Sequence, residues 1–248
     1  MIRYPAQFLR TEVCPYDHLL AWDYETFGTG IENNGQQLAL ALRQQGGFGP
    51  DDQVTVDVYT HSMGALVARC AIELHGAHTF VDRLVMAGPP NHGSTLASSA
   101  RGLIFLVTTL LNQAPLVPFL GVANWTLRQL YQQGAGLADL AVNSPVLSRL
   151  NALTQPSNVP YLVLAGENQP SDEERSRLER LASKVLDETL DAIFGEQNDL
   201  AVGLSSLRDV RGGSYPGLRA EILPCDHFHY YVAPEAKRAI KDWLATTV

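Results

Sequence analysis

The chain has 248 residues, of which 46% are hydrophobic and 18% charged, a balance that suits a folded globule with a sizeable core and excludes a disordered chain. The formal net charge is -8 and no basic run occurs, which argues against nucleic acid as a partner. The three cysteines, Cys14, Cys70 and Cys225, form neither a disulfide framework nor CxxC pairs, so no structural metal is expected and Cys225 reads as a small buried residue. The first residues, MIRYPAQFLRTEVCP, contain no apolar signal region, and the expected location is the cytoplasm.

In chain order, Asp17 to Asp23 (DHLLAWD) reads as a short buried strand. Ile31 to Gln45 reads as a helix, broken by Gly46, Gly47, Gly49 and Pro50. Val54 to Thr60 (VTVDVYT) is rich in β-branched residues and predicts a strand. An amphipathic helix follows at once, with Met63, Leu66, Val67, Cys70, Ala71 and Leu74 on one face. Further strands are predicted at Val81 to Ala87, Val159 to Ala165 and Arg219 to Leu223. A charged helix is expected to open at Ser171 with Glu174 in capping-box spacing, its apolar stripe running through Leu178, Leu181, Val185, Leu190 and Ile193. A last helix starts near Pro234. Strands alternating with helices imply a mostly parallel sheet covered on both faces, in one domain spanning 1–248.

An uncharged run lies between Arg101 and Arg128, interrupted by Asn112, Gln113, Pro115 and Pro118, which makes it a poor membrane span. It reads as part of an apolar helical cap inserted at about residues 101–150, suited to acyl chains, with transient contact at a lipid interface as a further expectation.

The junction of the 54–60 strand with the next helix reads Thr60-His61-Ser62-Met63-Gly64. This is close to G-x-S-x-G, a strand-to-helix elbow that lifts a nucleophilic hydroxyl above a sheet edge. The helix N-terminus supplies free N–H groups for a developing oxyanion, the Met63 amide first among them. Gly64 meets the expected need for a small residue, whereas Thr60 departs from the first glycine. A serine nucleophile needs a base, and the base an orienting acid. The late histidines are His227 and His229, in Pro224-Cys225-Asp226-His227-Phe228-His229 after the last predicted strand. His227 is preferred and His229 is the fallback. Asp199, in Asn198-Asp199-Leu200-Ala201-Val202, is the preferred acid, with Glu167 as runner-up. Asp226 is a poor candidate because neighbouring side chains on an extended segment point apart.

The blocks LLAWDYETFGTGIENNGQQLA (19–39), YTHSMGALVAR (59–69), RLVMAGPPNHGSTLA (83–97), LSRLN (147–151), GEQNDLAV (195–202) and CDHFHYY (225–231) together resemble the bacterial lipase-like α/β-hydrolases, including those found beside caspase-like CHAT domains. The resemblance implies an α/β-hydrolase fold and a Ser62, Asp199, His227 triad. It also implies cofactor-independent cleavage of an ester or lipid through an acyl-enzyme. One departure stands out: no His-Gly pair precedes the elbow to supply the second oxyanion N–H, and the N-terminal strands read as shortened. Tyr24 to Gly30 and the Asn91 to Ser94 turn are the candidate replacements. A hydrolase-fold interaction module without catalysis is the alternative that this departure motivates.

Overall fold

The computed structural model describes residues 3–13, 16–26, 28–50, 52–98, 135–154, 157–167 and 193–246. Four strands, β1 (Asp57–His61), β2 (Arg83–Ala87), β3 (Tyr161–Gly166) and β4 (Leu218–Leu223), form a sheet in the order β1-β2-β3-β4. Every pairing is parallel, with His61 opposite Ala87 and Gly166 opposite Leu223 at the C-terminal ends. All four strands therefore finish at one sheet edge, where open α/β sheets bind their ligands.

Period-two alternation divides the buried side chains between two layers. Leu84, Met86, Tyr161, Val163 and Ala165 join the core that also holds Ile31 and Leu38 of α2 (Ile31–Gln44) and Ala65, Leu66 and Ile72 of α3 (Met63–Leu74). Val85, Ala87, Leu162 and Leu164 face the opposite layer, with Phe8 of α1 (Arg3–Phe8) and Ile240 and Trp243 of α7 (Pro234–Thr246). Strands buried on both faces read as apolar runs, which is why VMA and YLVLA were legible as strands.

Helices α2 and α3 approach closely because Gly35 faces Cys70: a Cβ at Gly35 would lie 2.4 Å from the Cys70 Cβ and 2.9 Å from the Val67 carbonyl oxygen. The N-cap of α2 is Gly30, which has no side chain to offer, so the Ile31 N–H is capped by Asp139 Oδ2 at 2.8 Å. Asp139 follows the short helix α4 (Ala135–Ala138), and Ser144 caps α5 (Pro145–Asn151). A buried polar cluster ties these layers together. The Glu73 carboxylate on α3 accepts from Arg69 Nε at 2.8 Å, from the Tyr161 hydroxyl at 3.2 Å and from Arg211 Nε at 3.1 Å. Arg211 follows α6 (Leu204–Arg208), so the cluster joins α3 to β3 and to the chain entering β4.

Two sequence expectations are corrected. Asp17 to Asp23 forms no strand: Leu20 is 72% exposed, and among the described residues β1 pairs only with β2. The segment is fastened by side chains instead, the Tyr16 hydroxyl meeting Asp57 and the Tyr59 hydroxyl at the edge of β1. Alternation of residue types cannot reveal whether a neighbouring strand is present to pair with. The strand expected from Val54 begins at Asp57, because Val54 is exposed and the Val56 N–H turns to Asp82 Oδ2 at 2.7 Å. The run 101–134 of the expected cap and the stripe from Leu178 to Leu190 lie outside the described residues. Among those described, no helix is long and apolar enough to cross a membrane.

Candidate active site

Ser62 sits between β1 and α3 with φ 54° and ψ −130°. A non-glycine residue with positive φ costs of order 1–3 kcal/mol and persists only where its surroundings enforce it. Here its N–H extends the sheet by donating to the Ala87 carbonyl at 2.8 Å, while its carbonyl accepts from Ala65 N–H at 3.0 Å inside the helix. The residue thus belongs to strand and helix at once. The amides opening α3, beginning with Met63, have no acceptor within the helix.

The Thr60 departure is accommodated by a hydrogen bond, its hydroxyl donating to the Val85 carbonyl of β2 at 2.9 Å. Gly64 does not meet the steric need expected of it. A Cβ there would be 3.5 Å from the Tyr24 hydroxyl and 4.0 Å from the Thr60 Cβ, which is ordinary contact. The demanding glycines lie elsewhere. A Cβ on Gly166, ending β3, would come within 2.3 Å of the Cys225 carbonyl and 3.0 Å of the Asp199 Cβ. One on Gly88 would lie 2.7 Å from the Tyr230 ring and 3.1 Å from the His227 ring, and its φ of 62° adds strain for any other residue.

His227 and Asp199 are brought together on loops at the same sheet edge. Both side chains are fully buried, and His227 Nδ1 meets Asp199 Oδ2 at 2.7 Å. The His227 N–H also donates to the Asp199 carbonyl at 2.8 Å. The Asp199 carboxylate is fully committed. Its Oδ1 accepts from Ala201 N–H at 3.1 Å and Val202 N–H at 2.9 Å, and its Oδ2 from the Tyr230 hydroxyl at 2.7 Å as well as from His227. Tyr230 is itself anchored by accepting from Gly166 N–H at 2.7 Å. With Nδ1–H donating to the carboxylate, the lone pair of the neutral imidazole resides on Nε2. That atom is buried and has no hydrogen-bond partner among the described residues.

The Ser62 turn and His227 are joined through His61. Its Nε2 lies 2.6 Å from the His227 carbonyl oxygen, and the two imidazole rings are 4.7 Å apart. Burial, followed by the neighbouring His227, pushes the His61 imidazole down to about 3, so it stays neutral and donates to that carbonyl. Ser62 and His227 are thereby gathered around the Ala87–Gly88 end of β2. Sequence reasoning missed His61, Gly88, Gly166 and Tyr230. Only the Gly88-Pro89-Pro90 break and the aromatic run Tyr230-Tyr231 were visible signals, and neither identifies a partner.

The alternatives separate on geometry. His229 is exposed and its Nδ1 pairs with Asp226 Oδ1 at 2.6 Å, so both are committed to a local turn. Glu167 donates its N–H to Leu223, and the carboxylate facing His227 is that of Asp199. Cys225 is buried, and burial pushes its thiol up to about 12, well away from nucleophilic use at neutral pH. Among the described residues, no group of three or more His, Cys, Asp or Glu is placed to hold a metal ion.

Solved structures share this architecture. The mature lipase BlEst2 of Bacillus licheniformis superimposes with a TM-score of 0.54 at 19% identity, over 89% of this chain and 76% of that one. The propeptide form of the same lipase gives 0.50 at 22% identity, over 81% of this chain, which spans only 37% of that longer one. Phospholipase PlaB from Legionella pneumophila gives 0.49 at 17% identity, over 77% of this chain and 38% of that one. No curated protein matches the sequence significantly. The four-stranded parallel sheet, its flanking helices and the likeness to BlEst2 make this the α/β-hydrolase fold. A family model covers residues 2–245, and the chain belongs to the family that it describes, Domain of unknown function (DUF7379).

Proposed function

We propose that the protein is a serine hydrolase that cleaves carboxylic esters through an acyl-enzyme on Ser62. The observation that carries this reading is the state of His227. Its Nδ1 is held by a buried carboxylate, while its Nε2 is buried, unpartnered among the described residues and gathered with the Ser62 turn at the sheet edge. A polar atom is rarely left so unless a reacting group completes it. Ser62 and His227 do not hydrogen-bond in this structure, as is common before substrate arrives.

His227 Nε2 takes the Ser62 proton as Oγ attacks the ester carbonyl. Asp199 keeps the imidazole in the required tautomer and stabilises the imidazolium. The Met63 N–H donates to the oxyanion. The proton then passes to the leaving alkoxide, and water, activated by the same imidazole, releases the acid. The uncharged, largely apolar run between Arg101 and Arg128 leads us to acyl chains as the bound group, consistent with the lipase named among the similar folds.

Turnover of a short and a long p-nitrophenyl ester by the wild type, absent in Ser62→Ala, is the expected result. An intact fold that turns over no ester of any chain length would contradict the proposal and favour an interaction module.

A further inference from the structure

This inference rests on the hydrolase reading above and concerns the oxyanion. A tetrahedral intermediate in this fold needs two donors, and only the Met63 amide has an assigned place. The turn Asn91 to Ser94 has no backbone N–H to give. Asn91 N–H donates to Pro89 at 2.9 Å, His92 N–H to the Ser206 hydroxyl at 3.0 Å, Gly93 N–H to Pro90 at 2.9 Å and Ser94 N–H to Leu140 at 2.9 Å. The Gly88 and Ser62 amides are likewise committed, to Leu164 and Ala87.

In the other segment, Thr29 N–H is committed to Glu25 and Ile31 N–H to Asp139. Tyr24 differs. Its hydroxyl lies 3.5 Å from the position that a Cβ on Gly64 would take, against the second residue of α3 and two residues beyond Ser62. Its ring is stacked on Trp22 at 5.2 Å and 20°, which fixes the direction of the hydroxyl. That hydroxyl makes no hydrogen bond to any described residue. A half-buried phenol whose oxygen is left unused beside a nucleophile elbow is a donor awaiting an acceptor.

We propose that the Tyr24 hydroxyl is the second oxyanion donor, acting with the Met63 amide. As the Ser62 Oγ–carbon bond forms, the carbonyl π pair moves onto oxygen and the Ser62 proton goes to His227 Nε2. Tyr24 keeps its own proton and donates it in a hydrogen bond to that oxygen. When the intermediate collapses, the carbonyl re-forms, the ester C–O bond breaks, and the alkoxide takes the proton from His227. Burial, followed by Asp23, pushes the Tyr24 phenol up to about 12, so the donor is protonated at neutral pH. A side chain thus stands where this fold ordinarily uses a backbone amide.

Tyr24→Phe tests this. The hydroxyl bonds no described residue, so the variant is expected to keep the wild-type melting midpoint. For a p-nitrophenyl ester its kcat is expected to fall by about 100- to 1000-fold, the effect of one lost oxyanion donor, with little change in KM. Equal kcat in wild type and Tyr24→Phe, with Ser62→Ala inactive, overturns the assignment and leaves the Ser62 reading intact. A loss of activity in step with a lowered melting midpoint makes Tyr24 a packing residue and also overturns it. A folded wild type without ester turnover or labelling by a fluorophosphonate overturns both.

Discussion

Asp199 Oδ2 receives two donors at 2.7 Å, the His227 imidazole and the Tyr230 hydroxyl, and Tyr230 in turn receives the Gly166 N–H. Tyr230 therefore fixes the rotation of the carboxylate from the side opposite the backbone amides of Ala201 and Val202. Tyr230→Phe keeps the ring and leaves the Gly166 N–H buried and unpaired. Stability should drop by about 1–3 kcal/mol in urea unfolding, and kcat by about tenfold, equivalent to roughly 1.4 kcal/mol at the transition state. Unchanged values of both would show that the carboxylate is held without Tyr230. Ser62, Asp199 and His227 were nominated from the sequence because each stands in a short block whose order along the chain is that of the resembled fold. Tyr230 and His61 were not, since their roles depend on partners 31 and 166 residues away. Nothing in the local pattern around either residue announces a contact across that distance.

Among the elements, β1 and α3 flank Ser62, and the packing of α2 against α3 is set by Gly35 more than by Gly64. Replacing a helical glycine by alanine ordinarily gains up to about 1 kcal/mol. At Gly35 the added methyl would meet Cys70 and the Val67 backbone at 2.4 and 2.9 Å, so overpacking, at about 1–3 kcal/mol, outweighs the gain. Gly35→Ala should lower the melting midpoint, and Gly64→Ala, with ordinary contacts only, should leave it nearly unchanged. A reversal of that order would show that α2 can shift away from α3. The sequence made helices and strands legible where burial is strong, as in β2, β3 and α3. It failed at residues 17–23, where an apolar stretch lies along an edge without a strand beside it, and it placed a steric demand on Gly64 that the fold lays on Gly88 and Gly166.

For the whole molecule, the neutral His61 couples the site to acid stability. Its folded value of about 3 lies below the unfolded value of 6.5, so between these limits the unfolded chain binds the extra proton. The stabilisation from neutral His61 is complete above pH 6.5 and drains as the pH falls toward 3. At pH 4.5 the loss is on the order of 3 kcal/mol. Urea midpoints at pH 7 and 4.5 should therefore diverge more in the wild type than in His61→Gln, which carries no titrating group there; equal divergence would remove His61 as the cause. The neutral state also keeps a second positive charge away from His227, which the proposed reaction turns into an imidazolium. The proposed chemistry rests on one hydroxyl, that of Ser62. The most direct measurement is peptide mapping by mass spectrometry after treatment with a fluorophosphonate. A single adduct on Ser62, lost in His227→Ala, is the predicted result. No adduct on a folded protein, or an adduct on another serine, would contradict it.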